Sequence, residues 1–280
     1  MSPAPPAPPV PPAPPDAHAA SHPDEPGPIT PIPLPERCAP PGGGLTLLML
    51  GGTFDPPHMA HALLPLRASE AMGLGDHLLV FVPASRSPHK AAQPLAPADH
   101  RLAMLHRLID DLSLRGRAVA WSDEIDRAAA AGPAAAPSYT AHTLARARRW
   151  LDGHGVPAAV MRLVIGADQA LAFDRWRDPR AILAIAQPLV LPRGEPPERT
   201  LARMSAGGAW SGPEMLGWAR GFAPIEPRTG SSTDIRALLA GAGPAGPGGL
   251  SPGVLEHIRV HGLYGAGGAG SAAGPQGRSH

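Results

Sequence analysis

The clearest signal in the chain is a series of short apolar runs separated by stretches with helical spacing. Leu45-Thr46-Leu47-Leu48-Met49-Leu50 and His77–Pro83 are apolar enough to be strands buried on both faces. Residues 118–121, 162–166, 188–191 and 222–226 repeat the pattern more briefly. Between them, residues 59–72 carry Leu63, Leu64 and Leu66 in a helical pattern, and Pro65 predicts a kink or a late start. Residues 98–114 set Leu102, Leu105, Leu108, Ile109 and Leu112 on one side of a helix. Further helices are expected from a Ser138 cap to Trp150, from 167 through Trp176, and over 179–186, 232–239 and 252–261. Residues 123–137 read as an alanine-rich loop. Residues 193–221, rich in Gly and Pro with isolated Trp210 and Trp218, give no legible pattern.

Strands alternating with helices over about 220 residues imply one doubly wound, Rossmann-like α/β domain with a mainly parallel sheet, here residues 45–264. Ligands of such sheets bind at the carboxyl ends of the strands, near the switch in strand order. Three chemically suggestive segments follow expected strands directly: Gly51-Gly52-Thr53, the basic loop through Lys90, and Asp168. They are expected to face one crevice.

Composition changes the picture at the ends. Of 39 prolines, 17 lie within the first 41 residues, so 1–44 reads as a disordered Pro/Ala-rich tail; 265–280 reads as a flexible Gly/Ala-rich one. A formal charge of +1 predicts no general affinity for nucleic acid or membrane. The single cysteine, Cys38, excludes an intrachain disulfide. With no apolar run near the roughly 20 residues that span a bilayer and no signal-peptide pattern, a cytoplasmic location is expected. Trp121, Trp210 and Trp218 read as packing residues, and Arg146, Arg148 and Arg149 as a solvated cationic face.

The chemistry concentrates in Gly51-Gly52-Thr53-Phe54-Asp55-Pro56-Pro57-His58-Met59-Ala60-His61. Glycines after a strand allow close backbone approach, prolines force a turn, and His58 and His61 share the first turn of a helix opening at Met59. A glycine turn, a helix start and two imidazoles suit an anion, foremost phosphate. His-x-x-His lacks the third ligand of a usual metal site, so no protein metal ligands are assigned. Asp168 is placed either to accept from a ribose hydroxyl or to cap a helix. Ser231-Ser232-Thr233 fits an anion-binding helix start, and with Asp234 also an ordinary capping box.

The eleven-residue string resembles the signature of the nucleotidyltransferase superfamily, with Ala60 where the usual form has glycine. Phe54-Asp55-Pro56 narrows the likeness to the bacterial nicotinate mononucleotide adenylyltransferases. Four further segments resemble that family in order: Pro88-His89-Lys90, Pro137-Ser138-Tyr139-Thr140, Ile165-Gly166-Ala167-Asp168 with Trp176, and Ser231-Ser232-Thr233-Asp234-Ile235-Arg236. The resemblance spans about residues 45–264. It implies adenylyl transfer from ATP to nicotinate mononucleotide, giving deamido-NAD and pyrophosphate, a step of NAD biosynthesis. It further implies catalytic roles for His58, His61, Lys90 and Arg236. Contacts to ATP would come from Gly51, Gly52, Thr53, Phe54, Asp168, Ser231, Ser232 and Thr233. Ser138, Tyr139, Thr140 and Trp176 would hold the mononucleotide, with Trp176 stacked on its pyridine ring. Mg²⁺ would arrive with ATP, held by phosphates and water. A homo-oligomer is compatible with this reading. The alternatives are a phosphopantetheine adenylyltransferase-like relative or a catalytically silent nucleotide-binding module.

Overall fold

The computed structural model describes residues 27–38, 44–85, 94–132, 135, 137–226, 232–239 and 249–265. Five parallel strands form the sheet: β1 Thr46–Gly52, β2 His77–Pro83, β3 Ala118–Ala120, β4 Val160–Gly166 and β5 Gln187–Leu191. Their order is β3-β2-β1-β4-β5, so the chain steps outward from β1, then returns to its other side for β4 and β5. That reversal between β1 and β4 is where such sheets bind ligands. Register opens the place further. β1 follows β2 as far as Gly52 opposite Pro83, but follows β4 only to Met49 opposite Leu163. β4 continues beside β5 to Gly166 opposite Leu191. The ends of β1 and β4 therefore part.

Side chains leave a strand alternately to its two faces, which explains why the expected strands are continuously apolar. Leu47, Met49, Leu78 and Val80 belong to one core with Leu144, Ala147, Ile182 and Trp218. Leu48, Leu79, Phe81 and Val164 belong to another with Leu66, Leu105, Leu108 and Ile258. The covering helices include α1 Met59–Ala71, α2 Ala98–Asp111, α3 Asp123–Ala131, α4 Thr140–Gly153, α5 Ala167–Leu171 and α6 Pro179–Ile185. They continue with α7 Pro197–Ala206, α8 Gly212–Gly221, α9 Ser232–Leu239 and α10 Pro252–Val260. No helix among the described residues is long and apolar enough to cross a membrane.

Several expectations are corrected. α1 does not start late: it opens at Met59 and passes through Pro65, whose ring is buried. The alanine-rich loop is the helix α3, because an acidic first turn and a run of alanine both favour helix until Gly132 turns at φ 62°. The unreadable 193–221 holds α7 and α8. Ser211 caps α8, accepting from the Glu214 amide at 3.5 Å while Glu214 Oε2 accepts from the Ser211 amide at 2.7 Å. Residues 222–226 contribute one bridge, Val190 with Phe222, and no strand, since Pro224 has no N–H to give. Helix α4 is capped by Tyr139, one residue after the expected Ser138, without a side-chain bond.

The N-terminal boundary also moves. Residues 27–38 form a strap on the domain, with Ile32 and Cys38 only 2% and 3% exposed. The Thr30 carbonyl accepts from Trp121 Nε1 at 2.7 Å, and the Pro28 carbonyl from Arg146 at 2.6 Å. Arg146 does not belong to a solvated face: it is buried and forks onto buried Asp123 at 2.7 and 2.8 Å. Burial pushes the Asp123 carboxyl up, but Arg146, the Thr30 amide and Arg127 together hold it below its ordinary range. Arg148 is half-buried on the Ala159 carbonyl, and of the three arginines Arg149 alone is exposed.

A chain that begins just after Cys38 should therefore be less stable than one beginning at Gly27. Losing the burial of Ile32 and the partners of Arg146 and Trp121 should cost roughly 3 kcal/mol or more, lowering the thermal midpoint by roughly 6–12 °C. Equal midpoints by differential scanning fluorimetry would contradict the strap.

Candidate active site

The parted ends of β1 and β4 open into two cavities that share Gly51, Gly52, Thr53, Ile165 and Gln169 as a common wall. One, of about 330 Å³, is lined by His58, His61, Asp168, Arg193, Thr233 and Arg236. The other, of about 280 Å³, is lined by Glu124, Ser138, Tyr139, Thr140, Trp176 and Arg177. The first is rich in cationic and imidazole groups; the second is bordered by rings and hydroxyls. A Cβ built on Gly51 meets no atom within 4 Å, so any side chain there would stand in the shared cleft. A Cβ on Gly52 would meet the Phe54 ring at 3.1 Å.

The turn between β1 and α1 is held from several sides. Phe54 sits at φ 48°, a conformation a bulky residue adopts only where its surroundings enforce it. Its ring is 2% exposed and lies edge-on to His61 at 5.1 Å and Phe81 at 5.5 Å. Phe54 thus supports His61 from beneath while bordering the cavity. The His58 amide donates to His61 Nδ1 at 3.1 Å, which fixes Nε2 as the donor of the neutral His61 ring. The two imidazoles stack at 3.6 Å with 23° between their planes. Burial first, and the nearby Arg193 second, lower the His58 pKa to about 4. His58 is therefore neutral at pH 7 and acts as a single N–H donor. Ala60 lines the same cavity, and its methyl group does not prevent the helix from starting at Met59.

Asp55 lies behind this turn and is only 5% exposed. Its carboxylate accepts from the Leu95 and Ala96 amides at 2.9 and 3.0 Å and from the Tyr264 hydroxyl at 2.7 Å. Burial and that bond hold the Tyr264 phenol well above its ordinary pKa. The Asp55 carbonyl accepts from Arg236 at 2.6 Å, and Arg236 also reaches Thr233 Oγ1 at 3.2 Å. Ser232 Oγ donates to the Pro56 carbonyl at 3.1 Å. The start of α9 is thereby docked on the β1–α1 turn.

In the second cavity Trp176 is half-buried, its ring 4.7 Å from Phe173. The Ser138 and Thr143 hydroxyls both donate to buried Glu124, whose carboxyl is raised by burial against the pull of those bonds. The Ser138 hydroxyl is thus engaged inward, leaving backbone as its main offering to a ligand. Arg177 lies over the Tyr139 ring at 4.7 Å, a cation–π contact at the rim. Asp168 sits in the first turn of α5 with its side chain 63% exposed, 3.9 Å from Arg193. It does not cap α5; the Gly166 amide is taken instead by Gln169 Oε1 at 3.0 Å. Lys90 and Ser231 lie outside the described residues.

A family model described as cytidylyltransferase-like matches residues 49–238. A probable nicotinate-nucleotide adenylyltransferase of Stenotrophomonas maltophilia is 32% identical over 228 residues, covering 76% of this chain and 94% of that protein. Its counterpart in Pseudomonas putida KT2440 is 33% identical over 226 residues, covering 77% and 89%. The chain belongs to the cytidylyltransferase-like family, and within it to the nicotinate-nucleotide adenylyltransferases. The nicotinic acid mononucleotide adenylyltransferase of Plasmodium falciparum, solved with NaAD, shares the fold at a TM-score of 0.53 and 15% identity over 80% of this chain and 98% of that one.

For a member of that family, four groups at the cavities went unread in the sequence. Arg193 lies two residues past the end of β5, so a cation just beyond an expected strand was the available signal. Gln169 was passed over beside Asp168. Arg177 and Glu124 carry no local mark, because one acts through a ring 38 positions away and the other is buried by its fold neighbours.

Stability should report on His58. Its folded pKa lies near 4 and its ordinary value is 6.5, so the unfolded chain binds the extra proton between these values. The stabilisation is complete above pH 6.5 and is lost as pH falls toward 4, on the order of 3 kcal/mol in all. Denaturant titrations of wild type and His58→Gln across this range should show a smaller pH-dependent loss in the variant. Parallel curves would contradict the buried neutral state.

Proposed function

We propose that this chain joins ATP and nicotinate mononucleotide to form deamido-NAD and pyrophosphate. The observation that carries this reading is the pair of cavities sharing the Gly51–Thr53 wall, one built for phosphate and one for a ring. A mononucleotide phosphate oxygen attacks the α-phosphorus of ATP; a new P–O bond forms as the bond to the β-phosphate bridging oxygen breaks, and pyrophosphate leaves. Such transfers depend on positioning and charge stabilisation more than on covalent help. His58 and His61 donate N–H bonds to non-bridging oxygens, and the neutral state of His58 adds no cationic repulsion to the site before ATP enters. Arg193 and Arg236 supply fixed charge, and Lys90 is assigned a further positive charge on the same phosphates. The α9 start, through Ser231, Ser232 and Thr233, contributes hydroxyls and amides to the same phosphates. Asp168 accepts from a ribose hydroxyl of ATP, Phe54 keeps the His61 ring in place, and Trp176 offers its face to the pyridine ring. Ser138, Tyr139 and Thr140 border that ring with backbone groups.

Asp168 is the one carboxylate among the described residues lining the phosphate cavity, so the donors present fit Mg²⁺ bound through phosphates and water, not a protein cage. Mg²⁺ would neutralise phosphate charge when it arrives with ATP.

The test is pyrophosphate release from Mg-ATP with nicotinate mononucleotide, nicotinamide mononucleotide or phosphopantetheine as acceptor. Turnover with a pyridine mononucleotide is expected, and its loss by roughly 10²-fold or more in His61→Ala with the fold unchanged by circular dichroism. No turnover with either pyridine acceptor would sink the reading. Use of phosphopantetheine instead would keep the family and overturn the acceptor.

A further inference from the structure

Away from both cavities, three imidazoles converge on the seam between α2 and α10. His100 comes from the first turn of α2; His257 and His261 lie one turn apart at the end of α10. One ring nitrogen from each lies within 4.8 Å of the others. His100 Nδ1 and His257 Nε2 are 3.0 Å apart, and the three ring centroids lie 4.3–5.2 Å from one another. A tetrahedral ion held at about 2.0–2.1 Å by imidazole nitrogens sets its ligands about 3.3 Å apart, so small ring rotations suffice. Burial grades across the cluster: His257 is buried, His100 half-buried and His261 exposed, which leaves one side open to water.

The scaffold holds these rings together without needing an ion to do so. At one end of the seam the Gly253 amide donates to Asp111 Oδ2 at 2.7 Å, and a Cβ on Gly253 would come within 2.9 Å of that carboxylate. At the other end Tyr264 is tied to Asp55 at 2.7 Å. Helix α10 is therefore pinned on both sides of the cluster, and three ligands are arranged in advance.

We propose that His100, His257 and His261 form a binding site for one divalent d-block cation of the zinc class, completed by water. Three imidazole nitrogens suit such an ion and not Mg²⁺, which prefers oxygen. Burial first, and then the neighbouring His261, Arg107 and His100, lower the His257 pKa against the opposing pull of Asp99. A proton and the ion compete for the same ring lone pairs, so affinity should weaken as pH falls. An ion here would bridge α2 to the segment ending in Tyr264, and so brace the elements behind the phosphate cavity from outside it.

The test uses the full chain stripped with chelator, without ATP, titrated with Zn²⁺ alone by calorimetry and with Co²⁺ by visible absorption. The variants are exposed His261→Ala and half-buried His100→Gln, each checked for an unchanged fold by circular dichroism. Wild type should bind one Zn²⁺ per chain at this site, Co²⁺ should show the d–d bands of a low-coordinate imidazole site, and excess Mg²⁺ should not compete. Each variant should lose more than about 100-fold in affinity, beyond the roughly 10–100-fold that losing an outer-shell partner costs. No binding by wild type would overturn the proposal. So would equal binding by wild type and both folded variants, which would place the ion on other histidines. Neither result bears on adenylyl transfer, so this site and the proposed reaction fail or stand separately.

Discussion

The buried carboxylate of Asp55 is the junction on which the site depends. Taking a carboxylate out of water is costly unless hydrogen bonds replace the lost hydration. Three donors from distant parts of the chain do this: the Leu95 and Ala96 amides at the entry to α2, and the Tyr264 hydroxyl beyond α10. Its own carbonyl holds Arg236 from α9. Buried Arg101 closes the circuit, donating to the Thr53 carbonyl at 2.6 Å and the Ala96 carbonyl at 3.2 Å. The β1–α1 turn, the start of α2, the start of α9 and the C-terminal segment are thus one hydrogen-bonded unit. His58, His61 and Arg236 share a cavity because of it.

That unit also explains the division of labour within a short string of sequence. Gly51, Gly52 and Thr53 face the cleft, Phe54 and Asp55 face inward, and His58 and His61 face the cleft again. The inward residues need not touch a substrate to matter. Phe54 is held at positive φ by burial of its ring, and that ring backs His61. The two cavities then differ in chemistry while sharing a wall, which suits two substrates that must meet at one bond.

What the sequence made legible follows from the range of the forces involved. Strands β1, β2 and β4 were readable because burial on both faces demands unbroken apolar runs. The proposed phosphate site is legible because its glycines, prolines and histidines lie within eleven positions. Helix α3 was missed because Asp and Ala together look loop-like, although Ala128–Ala131 favours helix once Asp123 is anchored by Arg146. The strap over 27–38 was missed because its support is long-range: Thr30 meets Trp121 and Asp123, about 90 residues away. A proline-rich composition describes the segment correctly and still says nothing about what lies beneath it. Arg146 looked solvated for the same reason, since only the fold brings Asp123 and Pro28 to its guanidinium.

The most direct measurement is hydrogen exchange, resolved by residue, on wild type and Asp55→Asn. The amide keeps the shape of the carboxylate but has one acceptor oxygen in place of two and no charge. Buried donors left without an acceptor cost about 1–3 kcal/mol each. If one carboxylate joins the unit, protection should fall by roughly tenfold or more at Leu95 and Ala96, and fall together in α9 and in the Leu263–Gly265 segment. A loss confined to Leu95 and Ala96, with α9 and the C-terminal segment unchanged, would contradict it.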